Sequence, residues 1–285
     1  LLGGSTYRVT NIQGTRVNVN SVTGYRPTVP SWSGEARSRS RELSKALLDL
    51  IGHTVNTLRR QNDPRVVLRD AYGLGEGVSN TIARHLEEHT LDSFQVPDPN
   101  RLIVEQIVSG GMPTYLITSC RGRGFNTALG YFMAGLAEQD GIAVLELSFD
   151  ENGLLIKTSQ EVDPRRMYDS FQSNDHIEVI ERYIVSTQIF AKRFREVAGR
   201  SLIIPKRIGA EEVSPQQFQQ RADALLQRHR SMEDSLLIKE AKAEIMHGDI
   251  DIKSLNEFLQ LTKESEARIV HTKVPVPSRL GMSLY

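Results

Sequence analysis

Apolar and polar positions alternate through the first thirty residues. In Thr6–Ile12 the alternation runs through Tyr7 and Val9 and breaks near Gly14; Arg16–Asn20 then sets Val17 and Val19 against Arg16, Asn18 and Asn20. A period of two on either side of a glycine turn predicts a β-hairpin. Pro27 and Pro30 confine the next stretch to a sheet edge or a loop, because neither can donate to a ladder. The period then lengthens. Leu43, Leu47, Leu50 and Ile51 recur at helical spacing with Arg41, Lys45 and Asp49 outside, which predicts a helix over Arg41–Asn56. Further helices are expected over Gly77–Glu88 and Thr127–Glu138, with a break at Asp63-Pro64.

Strands return after the Pro97–Asn100 linker. Leu102–Val108 and Thr114–Ser119 flank Gly110-Gly111, and Ala143–Asp150 joins Leu154–Thr158 through the turn dipeptide Asn152-Gly153. Leu154 and Ile156 should face one way, Leu155 and Lys157 the other. From about Ile177 to Tyr285 the pattern is mostly helical. One helix carries Phe190, Phe194, Val197 and Ala198 and stops by Pro205; the next starts at Ser214-Pro215; Leu236–Met246 and Ile252–Leu261 follow.

Composition narrows the classes. The chain has 285 residues, 35 Lys and Arg against 35 Asp and Glu, and no apolar run near 18 residues. A single cysteine, Cys120, excludes an internal disulfide and a cysteine-rich zinc framework, and suits a reducing, cytoplasmic compartment. The chain opens at Leu1–Leu2 and ends at Tyr285 in apolar company, so a piece of something longer is expected. Charge is segregated despite the zero total. Residues 1–60 hold nine basic and three acidic residues, Lys192–Arg207 holds six basic against Glu196, and Glu233–Arg268 leans acidic, nine against five. A neutral protein binds a polyanion when one face collects the positive charge; otherwise such arginines simply solvate helix faces.

The candidate chemistry follows that charge. The one tryptophan, Trp32, lies in Pro30-Ser31-Trp32-Ser33-Gly34-Glu35, with Arg37, Arg39 and Arg41 next. Its ring either stacks on a nucleobase while the arginines meet phosphates, or closes the open end of a small barrel. Arg121-Gly122-Arg123-Gly124 stands between a strand and a helix, where guanidiniums and unpaired backbone N–H groups can hold an anion; an ordinary conformational turn explains the glycines equally well. Asn126 is a candidate helix cap or base-edge donor. Arg193 and Arg200 lie seven apart on one helical face.

Other motifs point to no catalytic centre. Tyr72–Gly77 is glycine-rich but ends in neither Lys-Ser nor Lys-Thr, and reads as a turn with Ser79 or Asn80 capping the helix. His85 and His89 are four apart with no third ligand. Cys120 reads as a core thiol, although Arg121 and Arg123 would lower its pKa if it were exposed.

Several segments together resemble the large helicase-related (Lhr) family of superfamily 2 DNA helicases. They are Leu2-Gly3-Gly4-Ser5-Thr6-Tyr7-Arg8-Val9, the Val29–Glu35 tryptophan box, Phe190-Ala191-Lys192-Arg193-Phe194-Arg195-Glu196-Val197-Ala198-Gly199-Arg200, Ser214–Arg221 and Pro275–Leu280. The resemblance implies the domain that follows two RecA-type ATPase domains and a winged helix in a 3′-to-5′ helicase. The fold it implies is α+β, a β-barrel-like module of antiparallel strands packed with a largely helical carboxy-terminal half. Residues 1–175 would form the barrel-containing module and 176–285 the helical one, or both one continuous accessory domain. Single-stranded DNA or an RNA–DNA hybrid, and the RecA-type and winged-helix domains, are the partners implied. ATP and Mg would belong to the parent, with none in this chain.

By the same resemblance Trp32 would stack on a base of the tracking strand, and Arg121, Gly122, Arg123 and Asn126 would match the family's strand-end segment. The nucleic-acid set expected is thus Trp32, Arg37, Arg39, Arg41, Arg121, Arg123, Asn126, Arg193 and Arg200. Ser31 before Trp32, and Arg279-Leu280, depart from the family pattern. The rival expectation is a scaffold that braces the motor, its arginines paired with internal acids. A nuclease or glycosylase would need a carboxylate pair or a base-flipping pocket, which spacing does not show.

Overall fold

The computed structural model describes residues 7–13, 16–21, 38–91, 95–108, 111–172, 175–205, 207–208, 211–213, 215–230, 232 and 234–285. Trp32 and Arg37 lie outside them. The expected hairpin is present: β1 (Tyr7–Gln13) pairs antiparallel with β2 (Arg16–Ser21), with a bulge between Val9 and Asn11.

Helix α1 (Arg41–Arg59) starts where Ser40 Oγ accepts the Leu43 N–H at 3.2 Å, and its Leu48, Ile51 and Val55 are buried. Asp63-Pro64 is more than a break. Asp63 caps a short helix, α2 (Pro64–Asp70), and Pro64 takes the first helical position, where its missing N–H costs nothing. Gly73, at φ +63°, turns the chain into α3 (Glu76–Leu91). That helix begins before Ser79, whose hydroxyl donates to Leu74 O from within it, so neither Ser79 nor Asn80 is the cap.

The sheet-forming stretch runs β3 (Arg101–Ile107), β4 (Thr114–Thr118), α4 (Arg123–Gln139), β5 (Val144–Phe149) and β6 (Gly153–Thr158). Then come α5 (Pro164–Phe171), α6 (His176–Ile184), α7 (Gln188–Arg200), the short strands β7 (Arg207–Ile208) and β8 (Glu211–Glu212), and α8 (Pro215–His229). Helix α9 (Leu236–Glu244) runs into a π-helical turn over Ile245–Asp249; α10 (Ile252–Lys263) and β9 (Arg268–Val274) follow.

The main sheet is ordered β5-β6-β4-β3-β9, antiparallel except for the parallel β3–β9 pair. The sheet bears on two expectations. The strands described form no closed barrel, since β5 and β9 are open edges. And β9, inside the stretch read as helical, crosses back to complete a mixed sheet; its β-branched Ile269, Val270, Thr272 and Val274 carry the strand preference.

One face of the sheet meets α4, with Val104, Tyr115, Ile117, Leu154 and Ile156 buried in a cluster that also holds Phe190, Phe194 and Phe258. Residues from either side of position 175 therefore share one core. Small residues let α4 sit centrally: a Cβ at Gly130 would lie 2.4 Å from Phe149, and one at Gly135 2.6 Å from Val179. The other sheet face packs Ile107, Leu116, Leu155 and Val274 with Leu284, so Leu154 and Leu155 divide between the faces as the alternation predicted.

The last residues strap that second face. Glu105, in the middle of β3 and 2% exposed, accepts the Ser278 hydroxyl at 3.0 Å and the Ser278 N–H at 3.3 Å. Burial raises its pKa more than these two bonds lower it. Its contribution to stability is therefore greatest when it is protonated and is lost as pH rises above the usual carboxylate range. Glu105→Gln keeps an acceptor for Ser278 and removes the charge. Its melting temperature at pH 8 is expected to exceed that of the parent by roughly 2–4 °C, the shift of about 1 kcal/mol in a chain of this size. The gap should close toward pH 4. Melting curves that stay parallel across that range would refute this role.

Candidate nucleic-acid interface

The strand-to-helix junction at the start of α4 holds two residues with positive φ close together. Cys120 is held at φ +54° and Gly122 at φ +93°. The N–H groups of Ser119 and Cys120 both donate to Asn152 O, at 2.9 and 2.8 Å, which locks the β5–β6 turn against the junction. Gly122 is needed twice over: beyond its positive φ, a Cβ there would lie 3.2 Å from Arg39 O and 3.3 Å from Ser44 Oγ.

The helix start does hold an anion, and the chain supplies it. Glu151 Oε2 accepts the Arg123 N–H at 3.1 Å and the Arg39 N–H at 3.0 Å. A carboxylate at this end of a helix is favoured by the backbone N–H groups and the dipole. Asn126 is fully buried; its Oδ1 accepts from Ser119 Oγ at 2.5 Å and its Nδ2 donates to Asp150 O at 2.9 Å. It therefore bridges two loops, and the cap position belongs to Gly122.

The arginines divide into two groups. Arg39, Arg41, Arg121 and Arg123 gather around this junction. Arg39 donates to Asn152 Oδ1 at 2.8 Å, and Arg41 pairs with Glu257 on α10. Arg121 lies between two rings, 5.2 Å from the Phe125 centroid and 4.8 Å from that of Phe258, and donates to Pro99 O. Burial draws its pKa down to about 10, with Asp98 opposing. Arg123 is exposed, and its guanidinium has no hydrogen bond or ion pair among the described residues.

Arg193 and Arg200 do share a face of α7, as their spacing predicted, and that face packs on α9 and the π-helical turn. Arg193 forks onto Asp249, Nε to Oδ2 at 2.8 Å and Nη2 to Oδ1 at 2.6 Å, and reaches Glu196 at 2.8 Å. These bonds raise its pKa. Arg200 pairs with Glu244.

Other candidates resolve simply. Cys120 is 3% exposed and burial pushes its thiol up to about 12, against the lowering expected of an exposed one, so it is no nucleophile at neutral pH. His89 is buried with Nε2 3.0 Å from Gln95 O. No group of three or more His, Cys, Asp or Glu able to hold a metal occurs among the described residues. A cavity of about 80 Å³ between the sheet and α4 is lined by Val104, Tyr115, Met133, Ile156 and His271.

The residues that sequence reasoning missed are acidic: Glu151, Glu244, Asp249, Glu257 and Glu105. The acidic bias of Glu233–Arg268 was the visible signal for three of them. Glu105 announced itself as the lone charge in the run Leu102–Val108.

The DEAD/H associated family profile matches residues 96–281. Over its whole length the chain is 28% identical to an ATP-dependent helicase Lhr-Core protein 2 of Thermococcus barophilus, and 25% identical over 97% of its length to an ATP-dependent helicase Lhr-Core of Methanothermobacter thermautotrophicus. It spans about a third of the length of these curated relatives, 33% of each. Its fold is shared with the solved structure of the Mycobacterium smegmatis helicase Lhr bound to ssDNA and AMP-PNP, at a TM-score of 0.73 and 22% identity. That match covers 91% of this chain and 33% of the other.

Proposed function

Because the chain belongs to the DEAD/H associated family, we propose that it is a nucleic-acid-binding accessory domain of an ATP-dependent 3′-to-5′ DNA helicase, lining the path of a single strand. The observation that carries this reading is the fold shared across 91% of the chain with a helicase solved on ssDNA. Arg123, exposed at the junction beside the partnered Arg39 and Arg41, supplies a guanidinium for a phosphate. Trp32, with Arg37, supplies the stacking platform in the same reading. Grip by phosphates and stacking is independent of sequence, which suits a domain that must let the strand slide.

The barrel-like module and the contacts with RecA-type and winged-helix domains belong to this proposal too. ATP and its metal ion find no fitting site among the described residues. The glycine turn before α3 carries no lysine for phosphates, and no cluster able to hold a metal lies among the described residues. In this reading the chemistry of hydrolysis belongs to ATPase domains of a longer parent.

A scaffold is the second reading, favoured by one specific observation. Arg41, Arg193 and Arg200 are each paired with an acid of this chain, and Arg39 and Arg121 with Asn152 and a backbone carbonyl. Salt separates the two. Binding of labelled oligo-dT, followed by anisotropy, should weaken steeply with ionic strength, by a slope of about 0.7 per phosphate contacted. Arg123→Ala should reduce that slope by about one contact. Trp32 is the only tryptophan, so its own fluorescence should quench on stacking. Trp32→Ala should weaken binding roughly tenfold, given stacking of about 1–3 kcal/mol per base. No binding at low salt would favour the scaffold.

A further inference from the structure

Helices α1, α7 and α10 each end through a left-handed non-glycine residue, Gln61, Leu202 and Ser265, and of the three α7 places a large apolar side chain there. Ser201 closes α7, and Leu202 then adopts φ +59°, the left-handed conformation in which glycine normally ends a helix. The turn is anchored on both sides. Val197 O accepts the Ser201 N–H at 2.9 Å, Ala198 O accepts the Ile204 N–H at 3.3 Å, and Ala198 and Ile204 are buried in the main core. Between these anchors Leu202 is 81% exposed and Ile203 51% exposed. A large apolar residue thus occupies a strained position on a fixed backbone and touches little of its own chain.

Strain combined with apolar exposure marks a surface built for something outside the fold. The local charge indicates what. Lys192–Arg207 carries six basic residues against Glu196; Arg200 keeps its side chain 61% exposed even while paired with Glu244, and Arg207 is exposed just beyond the tip. An apolar point flanked by cations suits a polyanion whose apolar surface is a stacked base.

We propose that the Leu202–Ile203 tip is a wedge that packs against the terminal base pair where duplex meets single strand. Arg200 and Arg207 would steady the flanking phosphates. The proposal rests on the single-strand reading above and adds a junction to it. Strand separation exposes a base-pair face at that point, and a rigid aliphatic tip covers it without reading sequence.

The double variant Leu202→Gly with Ile203→Ser tests it, because glycine accepts the left-handed backbone and should leave the melting temperature of the full chain unchanged or higher. The probe is a forked DNA with 2-aminopurine at the junction pair, set beside oligo-dT. The parent chain is expected to bind the fork at least fivefold more tightly than oligo-dT and to brighten the 2-aminopurine. The variant should lose both effects and keep its oligo-dT affinity. Equal binding of fork and single strand by the parent, with no change at the junction, overturns the wedge and leaves the single-strand reading intact. Absence of oligo-dT binding overturns both. A parent that sediments as a dimer and a variant that sediments as a monomer would make the tip a contact between copies, and overturn the wedge.

Discussion

Replacing Gly153 by alanine is expected to destabilise the protein by about 3 kcal/mol, the upper range of overpacking. The added Cβ would stand 2.1 Å from the backbone oxygen of Ile117, 3.1 Å from its carbonyl carbon and 2.9 Å from Leu284. The first two are main-chain atoms of a central strand and cannot rotate away. Relief requires β6 to part from β4 next to Thr118, or the carboxy-terminal strap to lift off the sheet. A fall in melting temperature of roughly 6–12 °C should follow. Gly52→Ala provides the opposite sign. Gly52 lies inside α1 with nothing within 4 Å of its added Cβ, so alanine should stabilise by about 0.5–1 kcal/mol through helix propensity alone. Thermal melts of the two variants side by side check the argument; a Gly153→Ala protein that melts with the parent would show that the β4–β6 approach is looser than described.

Arg193→Ala should be the most costly of the arginine substitutions, and costly to stability before binding. Removing a buried ion-pair partner costs roughly 3–5 kcal/mol, because the remaining charge is stranded. Here the side chains of Arg193 and Asp249 retain 23% and 16% of their exposure, so solvent screens part of the loss. A cost of about 2–3 kcal/mol is expected. Arg193→Lys should recover only a fraction, because an ammonium cannot fork onto both Asp249 oxygens while reaching Glu196. The measurement pairs a denaturant titration with oligo-dT binding at fixed salt. Lost stability with unchanged affinity in the folded fraction is the expected result. Lost affinity at unchanged stability would return Arg193 to the strand path.

These two substitutions also show where sequence reasoning reached and where it stopped. Asn152-Gly153 was legible as the turn between β5 and β6, but for a different reason from the one that holds. Asp150 Oδ1 makes the turn, accepting the N–H groups of Asn152 at 2.7 Å and Gly153 at 2.8 Å, and Gly153 needs no positive φ. Its glycine is required by the neighbouring strand. Likewise the seven-residue spacing placed Arg193 and Arg200 on one helix face correctly, while the nature of that face was hidden. It meets Asp249 and Glu244, so two arginines of the basic cluster pair in space with two acids of the carboxy-terminal segment that looks like the opposite pole in the chain.

Periodicity, proline and glycine placement by themselves determined most of the helices and strands, including α1, α4, β3 to β6 and the start of α8 at Pro215. Each depends on residues within a few positions of one another, and that information is local. The parallel addition of β9, the strap over Glu105, the carboxylate of Glu151 on the start of α4 and the partner of each arginine were decided only by the tertiary structure. Each joins segments far apart in the chain. Coulomb attraction and hydrogen bonding act over a few ångströms of space, so charge and chemistry along the sequence name the groups available, and only the fold selects which of them meet.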